Sequence, residues 1–303
     1  MSYDDFYLVP KKSIVSSRSE CDTSLEFGGY QFNLSIVPSN MSSVVNFELC
    51  TELAKRGYFY IMHRFVSYDD IYKFVVKMNN EFLISSISIG VKQADYDLID
   101  QLKDNAPDYI TIDIAHGHSY LMRDMITHIR KQLPNVFIIT GNVASQDAVD
   151  DLTEWGASCI KYGVGPSPVC NTYPNTGFYG HPATLLNELN STLPIIADGG
   201  ASRIGHIVKA VVLGADMVMV GGMLSGFNES PGDVFEINGE QCKIYAGSTA
   251  NNIKHIEGKS SHVALKGSIW DYLDVIEQNT KSAISYAGGT DLSAFNHVEI
   301  KRY

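Results

Sequence analysis

Along the chain, short apolar runs recur, each closing on Gly, Asn, Asp or His and each followed by a stretch with helical spacing. The runs are FNLSIVPSN (32–40), YFYIMH (58–63), LISSISIG (83–90), YITIDIAHG (109–117), VFIITGN (136–142), SCIKYG (158–163), LPIIADGG (193–200) and ADMVMVGG (215–222). In the stretch after the fourth run, Leu121, Met125, Ile129 and Leu133 recur every four residues, which predicts one apolar helix face. Near-continuous apolar strands alternating with helices form a parallel sheet covered on its outer face, and eight repeats predict closure into a (β/α)8 barrel.

Such barrels carry their chemistry on the loops that follow the strands. Two of those loops are long. The sixth runs from 163 to about 182, and in its stretch YGVGPSPVCNTYPNTG (162–177) the glycines and prolines exclude both a helix and a central strand. The eighth spans about 223–265, before a last helix near WDYLDVIEQNTKSAISYA; within it Asn238-Gly239 in VFEINGEQCKIY predicts a hairpin with a type I′ turn. A loop of that length in a compact barrel is functional as a rule, and it is expected to act as a flap over the barrel mouth. Residues 1–31 precede the first strand and are expected to wrap one barrel domain spanning 1–303.

Composition narrows the classes. The chain has 303 residues, 45% hydrophobic and 19% charged, which fits one barrel. It has no run of 18 apolar residues, so no membrane partner is expected, and an acidic start without a basic-then-apolar leader points to the cytoplasm. A formal charge of −11 opposes non-specific binding to nucleic acid, so an anionic ligand has to be held by local amides. Five cysteines without CxxC spacing argue against a disulfide framework or a structural zinc.

The glycine pairs ADGG and VGG end the seventh and eighth runs, where backbone N–H groups can approach a phosphate closely. This marks Gly199, Gly200, Gly221 and Gly222 as an anion site, although glycines there also simply turn a strand into a helix. Asp198 beside them suits a ribose diol. Cys170 stands in the sixth loop at the same end, where a thiolate could attack an electrophilic carbon, whereas Cys50 and Cys159 read as buried apolar residues. Asp113, His116 and His118 in DIAHGHS lack the further ligands a metal hydrolase needs, so no metal is expected there, and cofactor or supporting contacts fit better.

Taken in order, PSNM (38–41), MHRF around His63, DIAHGHS, GNV (141–143), the loop ending in Cys170-Asn171-Thr172, ADGG, GGML with SGFNESPG, YAGS (245–248), IEGK (256–259) and ISYAGGTDL (284–292) resemble the IMP dehydrogenase and GMP reductase family, on its bacterial reductase side. The resemblance covers nearly the whole chain. It implies a tetrameric (β/α)8 barrel that converts GMP to IMP and ammonia with NADPH. It further implies that Cys170 attacks purine C2, Thr172 and Glu257 assist departure of the amine, and Asp198 holds the ribose. Gly199, Gly200, Gly221, Gly222, Tyr245 and Gly247 would contact substrate, and Asp113, His116 and Gly117 the cofactor. No regulatory insert follows the second run, and no arginine lies between Arg203 and Arg302 to activate water as the dehydrogenase does.

Departures are local. Ser167 and Pro168 replace a family glycine and a phosphate-contacting side chain, which counts against a monovalent cation on the carbonyls of Gly163 and Gly165. The segment GFYGHPATLL lacks the family's glutamine, and the flap between Tyr245 and Glu257 is shorter. Two alternatives stay open: a catalytically impaired purine-nucleotide binder, and an IMP dehydrogenase-like oxidoreductase.

Overall fold

Strand parity sorts the side chains. In the computed structural model, which describes residues 1–167, 170–247 and 260–303, seven parallel strands curl into one sheet. They are Ile36–Pro38, Ser86–Ile89, Tyr109–Asp113, Phe137–Val143, Cys159–Tyr162, Ile195–Asp198 and Met217–Val220. The first strand pairs with the last, Val218 opposite Ile36, as closure of a barrel requires. The second apolar run is the exception: instead of a strand it makes an isolated bridge, Met62 to Ile87, with Met62 N–H donating to Ser86 O and Ser88 N–H to Met62 O.

Side chains alternate between the lumen and the helix layer. Val37, Phe59, Ile61, Tyr109, Ile139, Cys159, Ile196, Met217 and Met219 fill the lumen with Phe27 and Phe32, which come from an antiparallel hairpin, Leu25–Phe27 and Tyr30–Phe32, at its N-terminal end. The opposite parity, Ile36, Ile110, Ile112, Ile138, Ile160, Ile195 and Val218, meets the helices. Both Cys50 and Cys159 are buried.

The helix after the third of these strands runs Tyr120–Gln132 behind the N-cap Ser119, and its buried face is Met122, Met125, Ile126 and Ile129. Leu121, expected on that face, is exposed. A strict four-residue step overshoots the 3.6-residue turn by about 40° each time, so a residue three steps away leaves the stripe. The eighth loop holds the expected hairpin: Phe235–Ile237 pairs with Glu240–Ala246 across Asn238 and Gly239, whose φ of 51° and 83° define the type I′ turn. A third strand, Ser260–Ala264, adds to its other edge. The last helix, Ile269–Ala287, starts at the N-cap Ser268 and stops at the left-handed Gly288. Ahead of the hairpin of residues 25–32, Phe6–Leu8 pairs antiparallel with Ile300–Arg302.

Candidate active site

The parity that puts Tyr109, Cys159 and Ile196 in the lumen puts Asp113, Lys161 and Asp198 above them, at the C-terminal mouth. There Lys161 Nζ lies 2.6 Å from Asp113 Oδ1 and 3.1 Å from Asp198 Oδ2. Asn142 Nδ2 donates to Asp198 Oδ2 at 2.7 Å and to Gly163 O at 2.8 Å, and Asn40 Nδ2 donates to Asp113 Oδ2 at 3.1 Å. Gly141 makes room for the lysine, since a Cβ there would sit 2.5 Å from Lys161 O and 2.6 Å from its Cβ. Burial opposes the charge on both Lys161 and Asp113. The attraction between them prevails: the ammonium is held above its ordinary pKa by Asp113 and Asp198, and the Asp113 carboxyl below its own by Lys161.

Above this floor opens a cavity of about 360 Å³. Cys170, Thr172, Asp198, Gly199, Gly200, Gly221, Gly222, Tyr245 and Gly247 all line it, so the thiol, the carboxylate and both glycine pairs face one space. The sixth loop reaches that position because its base is pinned by Val164 and Gly180, which exchange N–H···O bonds of 2.9 and 2.7 Å. Cys170, half-buried, donates its N–H to Ser167 O at 3.0 Å, and Thr172 opens the short helix Thr172–Thr176. Pro166 leans on Gly199: a Cβ there would come within 2.5 Å of the proline ring, and its φ of +99° also favours glycine. Tyr245 OH takes the corresponding place at Gly221, 2.5 Å from where a Cβ would be, and bonds Ser167. Two turns and one phenol thus form a corner without side chains of its own, fit for an anion held by amides.

The fourth loop divides. Asp113 lies on the floor, and Ala115 on the cavity wall; His116 is exposed outside the lining, and Gly117 is buried with its N–H on Asn142 O at 2.8 Å. His118 turns away to Asp151, Nε2 to Oδ2 at 2.7 Å. Among the described residues no cluster of His, Cys, Asp or Glu could hold a metal ion. Gly163 and Gly165 sit at φ of +135° and +92°; the Gly163 carbonyl is engaged by Asn142. Glu257 and Pro168 lie outside the described residues.

Sequence reasoning missed Lys161, Asn142, Asn40 and Arg64, all of which line the cavity. Lys161 had a signal: a lysine at inward parity near the end of an apolar run has to find a buried partner. The same lining includes the apolar side chains of Phe65, Ile114 and Ala115.

Comparison with known proteins matches residues 1–302 to the model of the IMP dehydrogenase / GMP reductase domain. A GMP reductase of Bacillus subtilis (strain 168) is 46% identical over 308 residues, covering 98% of this chain and 94% of that protein. One of Acidovorax ebreus (strain TPSY) is 47% identical over 301 residues, covering 96% and 92%. Another, of Streptococcus pyogenes serotype M49 (strain NZ131), is 44% identical over 306 residues, covering 98% and 93%.

Proposed function

The chain belongs to the IMP dehydrogenase and GMP reductase family, and we propose that it is a GMP reductase, converting GMP to IMP and ammonia. The observation that carries this reading is the single cavity shared by Cys170, Asp198 and both glycine corners.

In this reading the nucleotide phosphate rests on the amides of Gly199, Gly200, Gly221 and Gly222 and on Tyr245 OH, and Asp198 accepts from the ribose hydroxyls. Lys161 and Asn142 hold that carboxylate in place from below. The base then lies toward Cys170, with Gly247 beside it. The Cys170 thiolate attacks purine C2, forming a C–S bond, and the C2–N bond breaks as the amine takes a proton and leaves as ammonia. Thr172, two residues past Cys170 and in the same cavity lining, is the proposed relay for that proton, with Glu257 as its proposed partner. The C–S bond breaks when C2 receives hydride, releasing IMP and returning the thiolate. Covalent attachment divides one hard substitution into two easier steps.

A nicotinamide dinucleotide supplies the hydride when bound. The apolar groups of Phe65, Ile114 and Ala115 are proposed to face the cofactor's flat ring, with Asp113 in the same lining; His116 and Gly117, also expected to contact the cofactor, lie outside that lining. We infer NADPH from the reductive direction. A homotetramer in the cytoplasm is proposed with it; among the described residues no helix is long and apolar enough to cross a membrane.

The test follows reduced-cofactor absorbance with and without GMP. Oxidation should require GMP, and Cys170→Ala should lower turnover at least about a thousandfold while calorimetric GMP affinity stays within about threefold. Full turnover in the variant, or oxidation independent of GMP, overturns the reading.

A further inference from the structure

Behind the Gly199–Gly200 corner, on the side away from the cavity, two imidazoles close on Gly200. The His181 ring nitrogen Nε2 is the first atom that a Cβ on Gly200 would strike. Its other nitrogen, Nδ1, accepts the Ala183 N–H at 3.0 Å, so the neutral ring carries its proton on Nε2. His206 Nδ1 lies 3.3 Å from both Gly200 O and Ser202 N. With the proton on Nδ1 the ring donates to Gly200 O and takes the Arg203 Nε–H; with it on Nε2 the ring donates to Asp4 and takes the Ser202 N–H. The first tautomer bonds Gly200 itself, the second Ser202, two residues on.

Between the two rings stands Tyr3, wholly buried, its ring centroid 5.0 Å from that of His181 and 5.5 Å from that of His206. The segment that carries it is fastened from outside. Lys209 Nζ donates to Tyr3 O and Phe6 O, both at 2.6 Å, Thr184 Oγ1 donates to Met1 O at 2.7 Å, and Arg203 pairs with Asp4. Gly200, at φ of +81°, has no side chain to restrain it, so its amide direction is set by what packs against it.

We propose that the segment Met1–Phe6 is the rear support of the phosphate corner, and that Tyr3 is a positioning residue whose ring, wedged between His181 and His206, fixes the amides of Gly199 and Gly200 toward the ligand's phosphate. This rests on the reading that the corner takes the phosphate of GMP. A nucleoside lacking the phosphate should be indifferent to the wedge, which separates positioning from general loss of structure. The Tyr3 hydroxyl has no hydrogen-bond partner among the described residues, so the wedge acts through its ring.

Calorimetry on the full chain with GMP, guanosine and inorganic phosphate in competition with GMP tests it. Tyr3→Ala should weaken GMP and phosphate about tenfold, leave guanosine within about twofold, and raise KM with kcat unchanged. Tyr3→Phe should behave as wild type. Lys209→Met, which loosens the segment without touching the wedge, should give a smaller shift in the same direction and serves where Tyr3→Ala fails to fold. Unchanged phosphate affinity in Tyr3→Ala or, where it does not fold, in Lys209→Met overturns the proposal, as does a parallel fall for guanosine. Phosphate that does not compete with GMP in the wild type instead overturns the reading of the corner.

Discussion

Replacing Lys161 by Met keeps the length of the side chain and removes its charge. In the wild type Lys161 is buried between Asp113 and Asp198, the nearer oxygen at 2.6 Å. Without the ammonium, the side-chain hydrogen bonds left among the described residues are that of the Asn40 amide to Asp113 and that of the Asn142 amide to Asp198, and Arg64 is the remaining cation that lowers the Asp113 pKa. Removing one partner of a buried ion pair costs about 3–5 kcal/mol, because the remaining charge is left without compensation. That is a large part of the roughly 5–15 kcal/mol that keeps a domain folded, and it amounts to a shift of about 10² to 10⁴ in the unfolding constant. Urea denaturation read by fluorescence measures it.

The sign of the pH dependence makes this prediction specific. In the wild type the folded pKa of Asp113 is depressed, so its contribution is present above the unfolded carboxyl value near 4 and is lost as pH falls through the folded one. In the variant, burial without the lysine raises that folded pKa, so the neutral acid is favoured and the deficit shrinks as pH falls from 8 toward 5. A loss below about 1 kcal/mol, or a deficit that widens on acidification, refutes the account of Lys161 as the charge that holds the floor together.

Four shorter predictions follow from the same geometry. Gly221→Ala sets a methyl 2.5 Å from Tyr245 OH and 3.2 Å from Ser39 Oγ, so KM for GMP should rise about tenfold or more with little change in melting temperature, as steady-state kinetics and calorimetry will show. Gly200→Ala meets both the His181 ring and a φ of +81°, and should lower stability by about 1–3 kcal/mol in denaturant titration. His63 is buried and burial lowers its pKa to about 4; its contribution is present above the unfolded value of 6.5 and is lost as pH falls toward 4, so His63→Gln should flatten the stability profile there by up to about 1.4 kcal/mol per pH unit. Ser268→Ala removes the hydroxyl that accepts the Trp270 N–H and should cost about 1 kcal/mol in thermal unfolding.

The alternation of strand and helix was legible because lumen and helix layer demand opposite parities, and a run such as YITID satisfies both. The Asn238-Gly239 hairpin was legible because few other dipeptides adopt two successive left-handed residues. The second run was harder to read: YFYIMH is as apolar as its neighbours, but only Met62 enters the ladder, and pairing depends on the adjacent strand rather than on local composition. Leu121 was misplaced because a four-residue rhythm imitates a helix face over one turn only. Cys170 and the glycine pairs stood out by composition. Lys161 did not, since its partners are 48 and 37 residues away and only closure of the sheet brings them together.

The aromatic hairpin under the barrel has a kinetic consequence. With Phe27, Phe32, Phe59 and Tyr109 filling the far end of the lumen, traffic is confined to one doorway. On the proposed function, a mononucleotide on the glycine turns and its dinucleotide partner would both have to use that mouth, so whichever lies deeper would have to enter first and leave last.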